Sequence, residues 1–412
     1  MKIDKVLLTP GLGSFFYDDQ AAVQKGTPKN GEWYDGEPLT LGFNQIRLPA
    51  SILEIGLVLE DGYIAWGDMM SVQYAGAAGR DPVFNLDRYQ KQIKQHLIPL
   101  LYGRSIDLFS INACEMCQVQ PDQDHLHTAI QYGLTQALLQ ATAYANKCTM
   151  AQVLCTEYGL PLIPKPVPLY AQSGDQRYEN VDKFILKQID VLPHGLINNR
   201  KKFGASGEKF LEYVDWVVKR IRELGDADYS PRLHFDIYGM AGKALGLSIE
   251  NICAYLKKIE KTAQPFEINI ESPADFGTRA SQIEGLEAIR QRLFEMGCNV
   301  KIVADEWCNT LEDIQAFTQH KAVDMIQIKM PDMGGIQYCI EAVKLCHANN
   351  IAAFLGGSCT ETDISARASV HVAIATQADM LLCKPGMGAD EGISITKNEQ
   401  VRLLAELSCA YL

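Results

Sequence analysis

Residues 325–335 read MIQIKMPDMGG. Ile326 and Ile328 alternate with Gln327 and Lys329, the two-residue period of a β-strand, and Pro331 ends the run. On the edge of an open sheet the two polar residues would face water. In a closed barrel a strand has no wet side, because one face packs on helices and the other lines the interior. Gln327 and Lys329 would then project inward, with the isoleucines on the helix side. Which reading holds depends on whether the rest of the chain supplies a barrel.

It does. Short β-rich segments recur at 168–172, 183–190, 233–239, 266–271, 301–306, 325–329, 351–357 and 379–384. Helical patterns such as EKFLEYVDWVVKRIREL (208–224) and GIQYCIEAVKLCHANN (335–350) lie between them. Eight strands alternating with helices over about 250 residues is the requirement of a (β/α)8 TIM-type barrel. No glycine-rich nucleotide loop opens the series, which disfavours an open doubly wound sheet. Upstream, residues 44–70 carry two β-rich runs joined by EDG, a hairpin signal. Helical periodicity follows in 85–103 and 126–147, and then a proline-rich connection in 160–174. The expected organisation is an N-terminal α+β capping domain over 1–160 and a barrel over 161–412.

The chain has 412 residues, 47% hydrophobic and 21% charged, in the range of a globular enzyme. No apolar run reaches the length of a membrane span, and the first residues lack the pattern of a secretory leader. Twelve scattered cysteines suit reduced thiols in the cytoplasm. A net charge of −12 without a basic cluster argues against nucleic acid. It also means that an anionic ligand needs local positive charge.

Three acids stand at the ends of consecutive barrel strands: Asp236 in LHFDIYG, Glu271 in FEINIE and Asp305 in KIVADE. Asp236 and Glu271 are 35 residues apart, Glu271 and Asp305 34, about one βα unit each. Converging carboxylates repel unless a cation sits among them, and a hard divalent ion, Mg2+ foremost, suits an all-oxygen site. Lys329 comes one unit later. A cation nearby favours its neutral amine, the form a general base requires. His194 would face the barrel mouth from the other side, and Gln172 ends the first strand as a candidate substrate contact. GGSCTET (356–362) offers backbone N–H groups after the seventh strand, where barrels often hold anions. Together these groups suit abstraction of a proton next to a carboxylate. Cys114 and Cys117 form a lone CxxC, which disfavours zinc, and His125 and His127 read as packing or surface residues at a helix start.

The three acids on successive strands resemble the enolase superfamily. VQYAGAAGRDP, AQSGDQRYENVDKFILKQIDVLPHGLINN, HFDIYG, VADEWCNT, QIKMPDMGG and CKPGMGADEG narrow the resemblance to the methylaspartate ammonia-lyase (3-methylaspartase) family over essentially the whole chain. The resemblance implies reversible elimination of ammonia from L-threo-3-methylaspartate to mesaconate, with Mg2+ as cofactor and K+ as activator. It also implies a cytoplasmic homodimer serving amino-acid degradation by glutamate fermentation. Residue by residue, it makes Asp236, Glu271 and Asp305 metal ligands and Lys329 the base for the C3 proton. His194 becomes the base for the other C3 epimer. Gln172, Gln327, Ser358, Cys359 and, from the N-terminal domain, Gln73 become substrate contacts. Ser358 stands where threonine is expected and Tyr170 where phenylalanine is expected, so tolerance for substituted aspartates is open.

Two rivals stand beside this reading. One is another enolase-superfamily reaction: cycloisomerisation, epimerisation or acid-sugar dehydration. Such branches commonly carry a KxK pair or a late His-Asp dyad, whereas here Lys183 and Lys187 are four apart and the region ends in His194. The other is a non-catalytic barrel that binds a metal or a dicarboxylate.

Overall fold

The structure is a computed structural model that describes residues 1–121 and 124–409. Near the N-terminus, β1 (Ile3–Asp18), β4 (Arg47–Leu59) and β5 (Ile64–Met69) form an antiparallel sheet in the order β1-β4-β5. A two-stranded ribbon, β2 (Lys29–Asn30) and β3 (Trp33–Tyr34), lies between β1 and β4 in sequence. The EDG signal is the β4–β5 turn: Tyr63 O accepts from Leu59 N at 2.8 Å, and Gly62 takes φ +91°, a region glycine enters without strain. The helix Thr128–Ala145 packs on β5. Fourteen of its residues, from Ala129 to Ala143, are buried, so it is an interior helix and not an amphipathic one. Two glycines set that contact. A Cβ at Gly67 would lie 1.9 Å from Gly133 O, and one at Gly133 would lie 2.5 Å from Met69 Cγ.

The eight later strands close a barrel in chain order: β6 (Leu169–Tyr170), β7 (Val191–His194), β8 (Arg232–Asp236), β9 (Ile268–Glu271), β10 (Lys301–Ala304), β11 (Met325–Lys329), β12 (Ala352–Gly356) and β13 (Met380–Leu382), which closes on β6. Pairing from β6 through β11 is parallel. The barrel expectation holds, with one strand misplaced. Of residues 183–190, read as the second strand, 183–186 finish the helix Arg177–Leu186 and 187–190 form the turn that follows it. Its buried Val181, Phe184 and Ile185 follow the i, i+3, i+4 spacing of one helix face, and the adjacent apolar pair was taken for strand. The strand is the next four residues, VLPH. The long β1 was not read at all: Pro10, Gly11 and Gly13 interrupt its alternation, and it pairs only with a strand some forty residues away.

The chain divides into two compact units. One comprises Met1–Val167, Lys329–Lys344 and Leu355–Leu412; the other comprises Pro168–Ile328 and Leu345–Phe354. Among the described residues, no helix is long and apolar enough to cross a membrane.

Candidate active site

In the unit built on 168–328, strand register assembles the acids. Asp236 pairs with Glu271 across β8–β9, and Glu271 pairs with Val303 across β9–β10. Asp305 lies two residues beyond Val303, on the same face one pleat up. One ligand atom from each of the three carboxylates lies within 4.8 Å of the others, and all three residues are buried. Buried acids this close demand positive charge. An all-oxygen donor set of this kind fits a hard divalent ion such as Mg2+.

The rest of this cluster was only partly foreseen. Gln327, inward on β11, donates Nε2–H to Glu271 Oε1, while Ile326 and Ile328 are fully buried on the other face, as the alternation required. His234 is two residues before Asp236 on the same face and fully buried. Its Nε2 lies 2.7 Å from Glu271 Oε2, and Asn269 Nδ2 lies 3.3 Å from its Nδ1. Burial holds the imidazole well below its usual pKa, with the nearby His194 and Arg232 adding to the effect. A neutral ring accepting at Nδ1 carries its proton at Nε2, so His234 donates to Glu271. The cue was in LHFDIYG, because residues 234 and 236 share a face, but the partner on β9 shows only once the register is known.

His194 reaches its place by a different route. It pairs with Phe235, whose ring packs against Phe210 and Tyr213, so alternation alone would send it to the helix side. Its φ of +68° breaks the alternation, and Nε2 lies 3.7 Å from Asp236 Oδ2 and 3.3 Å from Gln172 Nε2. Leu196 N approaches Nδ1 at 3.2 Å. Both ring nitrogens thus face N–H groups, yet a neutral imidazole accepts at only one. Gln172 Oε1 is buried without a hydrogen-bond partner, an acceptor available to a substrate donor. Left-handed non-glycine residues recur beside each acid: Tyr238 (+49°), Ser272 (+49°) and Trp307 (+63°). Such backbone is costly and concentrates at functional sites. Tyr238 N, so placed, donates to Asp236 Oδ1 at 3.0 Å. Tyr170 is fully buried, its hydroxyl 3.4 Å from His234 O and its ring 6.1 Å from that of His194.

In the other unit, Gln73, Ser358 and Cys359 come together. Gln73 N donates to Ser358 Oγ at 3.0 Å, and Cys359 Sγ donates to Gln73 Oε1 at 3.3 Å. Gln73 Nε2 donates to Asp18 Oδ2 at 2.7 Å, and Asp18 is held by Arg47 at 2.7 and 2.8 Å. Burial pushes the Cys359 thiol far above its usual pKa, which disfavours the thiolate form. The 357–361 loop is organised by Glu361, fully buried, which accepts from Ser358 N at 2.7 Å, Tyr132 OH at 2.8 Å and the fully buried Lys384 Nζ at 3.3 Å. Lys329 ends β11 and is half-buried. Asp18, Arg47, Glu361 and Lys384 were not singled out from sequence, where nothing marks ion pairs formed across such separations.

The profile of the methylaspartate ammonia-lyase N-terminus matches residues 1–159, and that of the C-terminus matches residues 161–409. The chain belongs to the methylaspartate ammonia-lyase family. It is 47% identical to methylaspartate ammonia-lyase 2 of Carboxydothermus hydrogenoformans over 99% of both chains. It is 46% identical to the Citrobacter amalonaticus methylaspartate ammonia-lyase, again over 99% of each. A crystal structure of the Citrobacter amalonaticus enzyme containing (2S,3S)-3-methylaspartic acid superposes with a TM-score of 0.97 at 45% identity, covering 99% of this chain and 100% of that one. A Mg-complex of β-methylaspartase from Clostridium tetanomorphum gives 0.94 at 45% identity, covering all of both chains. At 14% identity, a muconate lactonizing enzyme from Pseudomonas fluorescens shares the fold, with a TM-score of 0.63. The barrel expected from the sequence is the fold that this chain shares with both methylaspartate ammonia-lyase structures.

Proposed function

We propose that this chain eliminates ammonia reversibly from L-threo-3-methylaspartate to give mesaconate. The observation that carries the reading is the buried Asp236–Glu271–Asp305 cluster in a member of this family. Asp236, Glu271 and Asp305 hold Mg2+, which when bound supplies positive charge to the substrate carboxylate next to the acidic carbon. Lys329, as the neutral amine, takes the C3 proton. The C3–H electron pair forms the C2–C3 double bond, and the C2–N bond breaks to release ammonia. His194 serves the opposite C3 face and hence the erythro epimer. Gln172 and Gln327 hold the substrate carboxylates, with Ser358, Cys359 and Gln73 as further substrate contacts. The same reading makes the protein a cytoplasmic homodimer activated by K+ and working in glutamate fermentation; its many free cysteines suit that compartment.

The test is mesaconate absorbance on mixing the folded protein with L-threo-3-methylaspartate, Mg2+ and K+ at neutral to alkaline pH. A steady rise that disappears with EDTA is expected. No rise from folded, Mg2+-loaded protein would refute the assignment.

A further inference from the structure

Lys329 is at once the last residue of β11 and the N-cap of a one-turn helix, Met330–Met333. Where its amine points depends on how that turn is held. Asp332, in the turn, accepts from Arg80 Nε at 2.6 Å, and the two side chains are only 6% and 3% exposed. Gly334 closes the turn at φ +79°, where a Cβ would lie 2.9 Å from Gln131 Oε1. Ile336 N then donates to Thr135 Oγ1 at 3.1 Å. From the other end of the chain, Lys384 Nζ lies 3.6 Å from Met330 Sδ. The segment Lys329–Lys344 accordingly belongs to the compact unit of the N-terminal residues, and the division falls between Ile328 and Lys329. A buried guanidinium–carboxylate pair is directional and short, unlike the apolar contacts around it. It ties the turn to Arg80's loop across 252 residues of sequence.

We propose that the Arg80–Asp332 ion pair is a positioning device for Lys329: it fixes the turn in which the lysine's strand ends and so sets the approach of the amine to C3. The proposal rests on Lys329 being the base for the threo substrate. It predicts a loss confined to the chemistry Lys329 performs. A structural tie alone would weaken both epimer reactions together.

The experiment uses the full chain with Mg2+ and K+. Initial rates are measured on L-threo- and L-erythro-3-methylaspartate for Arg80→Lys, Asp332→Asn and the charge-free Arg80→Met/Asp332→Asn. Lys329→Ala and His194→Ala serve as references, and circular dichroism confirms folding. Because a base misplaced by about 1 Å loses roughly a hundredfold, threo kcat should fall about 10- to 100-fold in the double variant. The threo KM and the erythro rate should stay within about twofold, and Arg80→Lys should recover part of the loss. Equal losses on both epimers, or an unchanged threo kcat in the folded double variant, would overturn the proposal. If the double variant does not fold, Arg80→Lys, which keeps the charge, decides by the same epimer ratio. If Lys329→Ala itself strikes both epimers alike, the base assignment falls and the proposal with it. If Lys329→Ala is selective and the Arg80 variants are not, only the positioning role falls.

Discussion

Asp68 offers a perturbation whose size follows from its surroundings. It lies on β5, is 3% exposed, and accepts a short hydrogen bond from Thr362 Oγ1, the N-cap of the helix Asp363–Thr376. Burial raises its pKa from 3.8 to about 6; the Thr362 bond opposes the rise, while Glu54 and Asp363 add to it. The folded state therefore binds this proton more tightly than the unfolded chain. Below about pH 4 both states are protonated and Asp68 costs nothing. Between about pH 4 and 6 the folded state is progressively penalised, and above pH 6 the full penalty applies. At 1.36 kcal/mol per unit, a rise of about two units amounts to ~3 kcal/mol. Asp68→Asn removes the charge and keeps an oxygen to accept from Thr362. It should therefore stabilise the protein by up to ~3 kcal/mol above pH 7 and by nothing near pH 4. Urea unfolding midpoints of the two proteins, measured across that range, give the difference curve. A gain independent of pH, or a loss at pH 8, would refute the argument.

Two further outcomes follow from the geometry. His234→Leu removes the donor to Glu271 Oε2 and should weaken Mg2+ binding about 10- to 100-fold, with His234→Gln, which keeps an N–H, recovering part of it. Calorimetric Mg2+ titration checks this, and an unchanged affinity would count against the orienting role. Gly67→Ala puts a methyl 1.9 Å from Gly133 O on a packed helix and should cost about 3 kcal/mol or more, read as a lowered urea midpoint. A stability matching the parent would mean that the helix and sheet separate without penalty.

Much of this was legible in the chain. Asp236, Glu271 and Asp305 could be found because each closes an apolar strand at nearly constant spacing, and Gln327 because its alternation was strict. His194 was expected to face the barrel mouth because it follows the second strand; what turns it toward Asp236 is a left-handed backbone. A non-glycine residue at positive φ leaves no mark in composition or periodicity. The second strand was missed because Val181, Phe184 and Ile185 mix helical spacing with an adjacent apolar pair. Arg80–Asp332, Asp18–Arg47 and Glu361–Lys384 join residues whose separations only the folded chain reveals.

The interleaved make-up of the first compact unit has a consequence for synthesis. Its N-terminal residues leave the ribosome long before their partners do. Arg80 waits for Asp332, Asp68 for Thr362, and Tyr132 for Glu361. A nascent chain halted near residue 160 already has β5 for Thr128–Ala145 to pack on, but carries these polar groups without the later partners named here. The N-terminal sheet can form early, but its unit is finished only by the last part of the chain to be made.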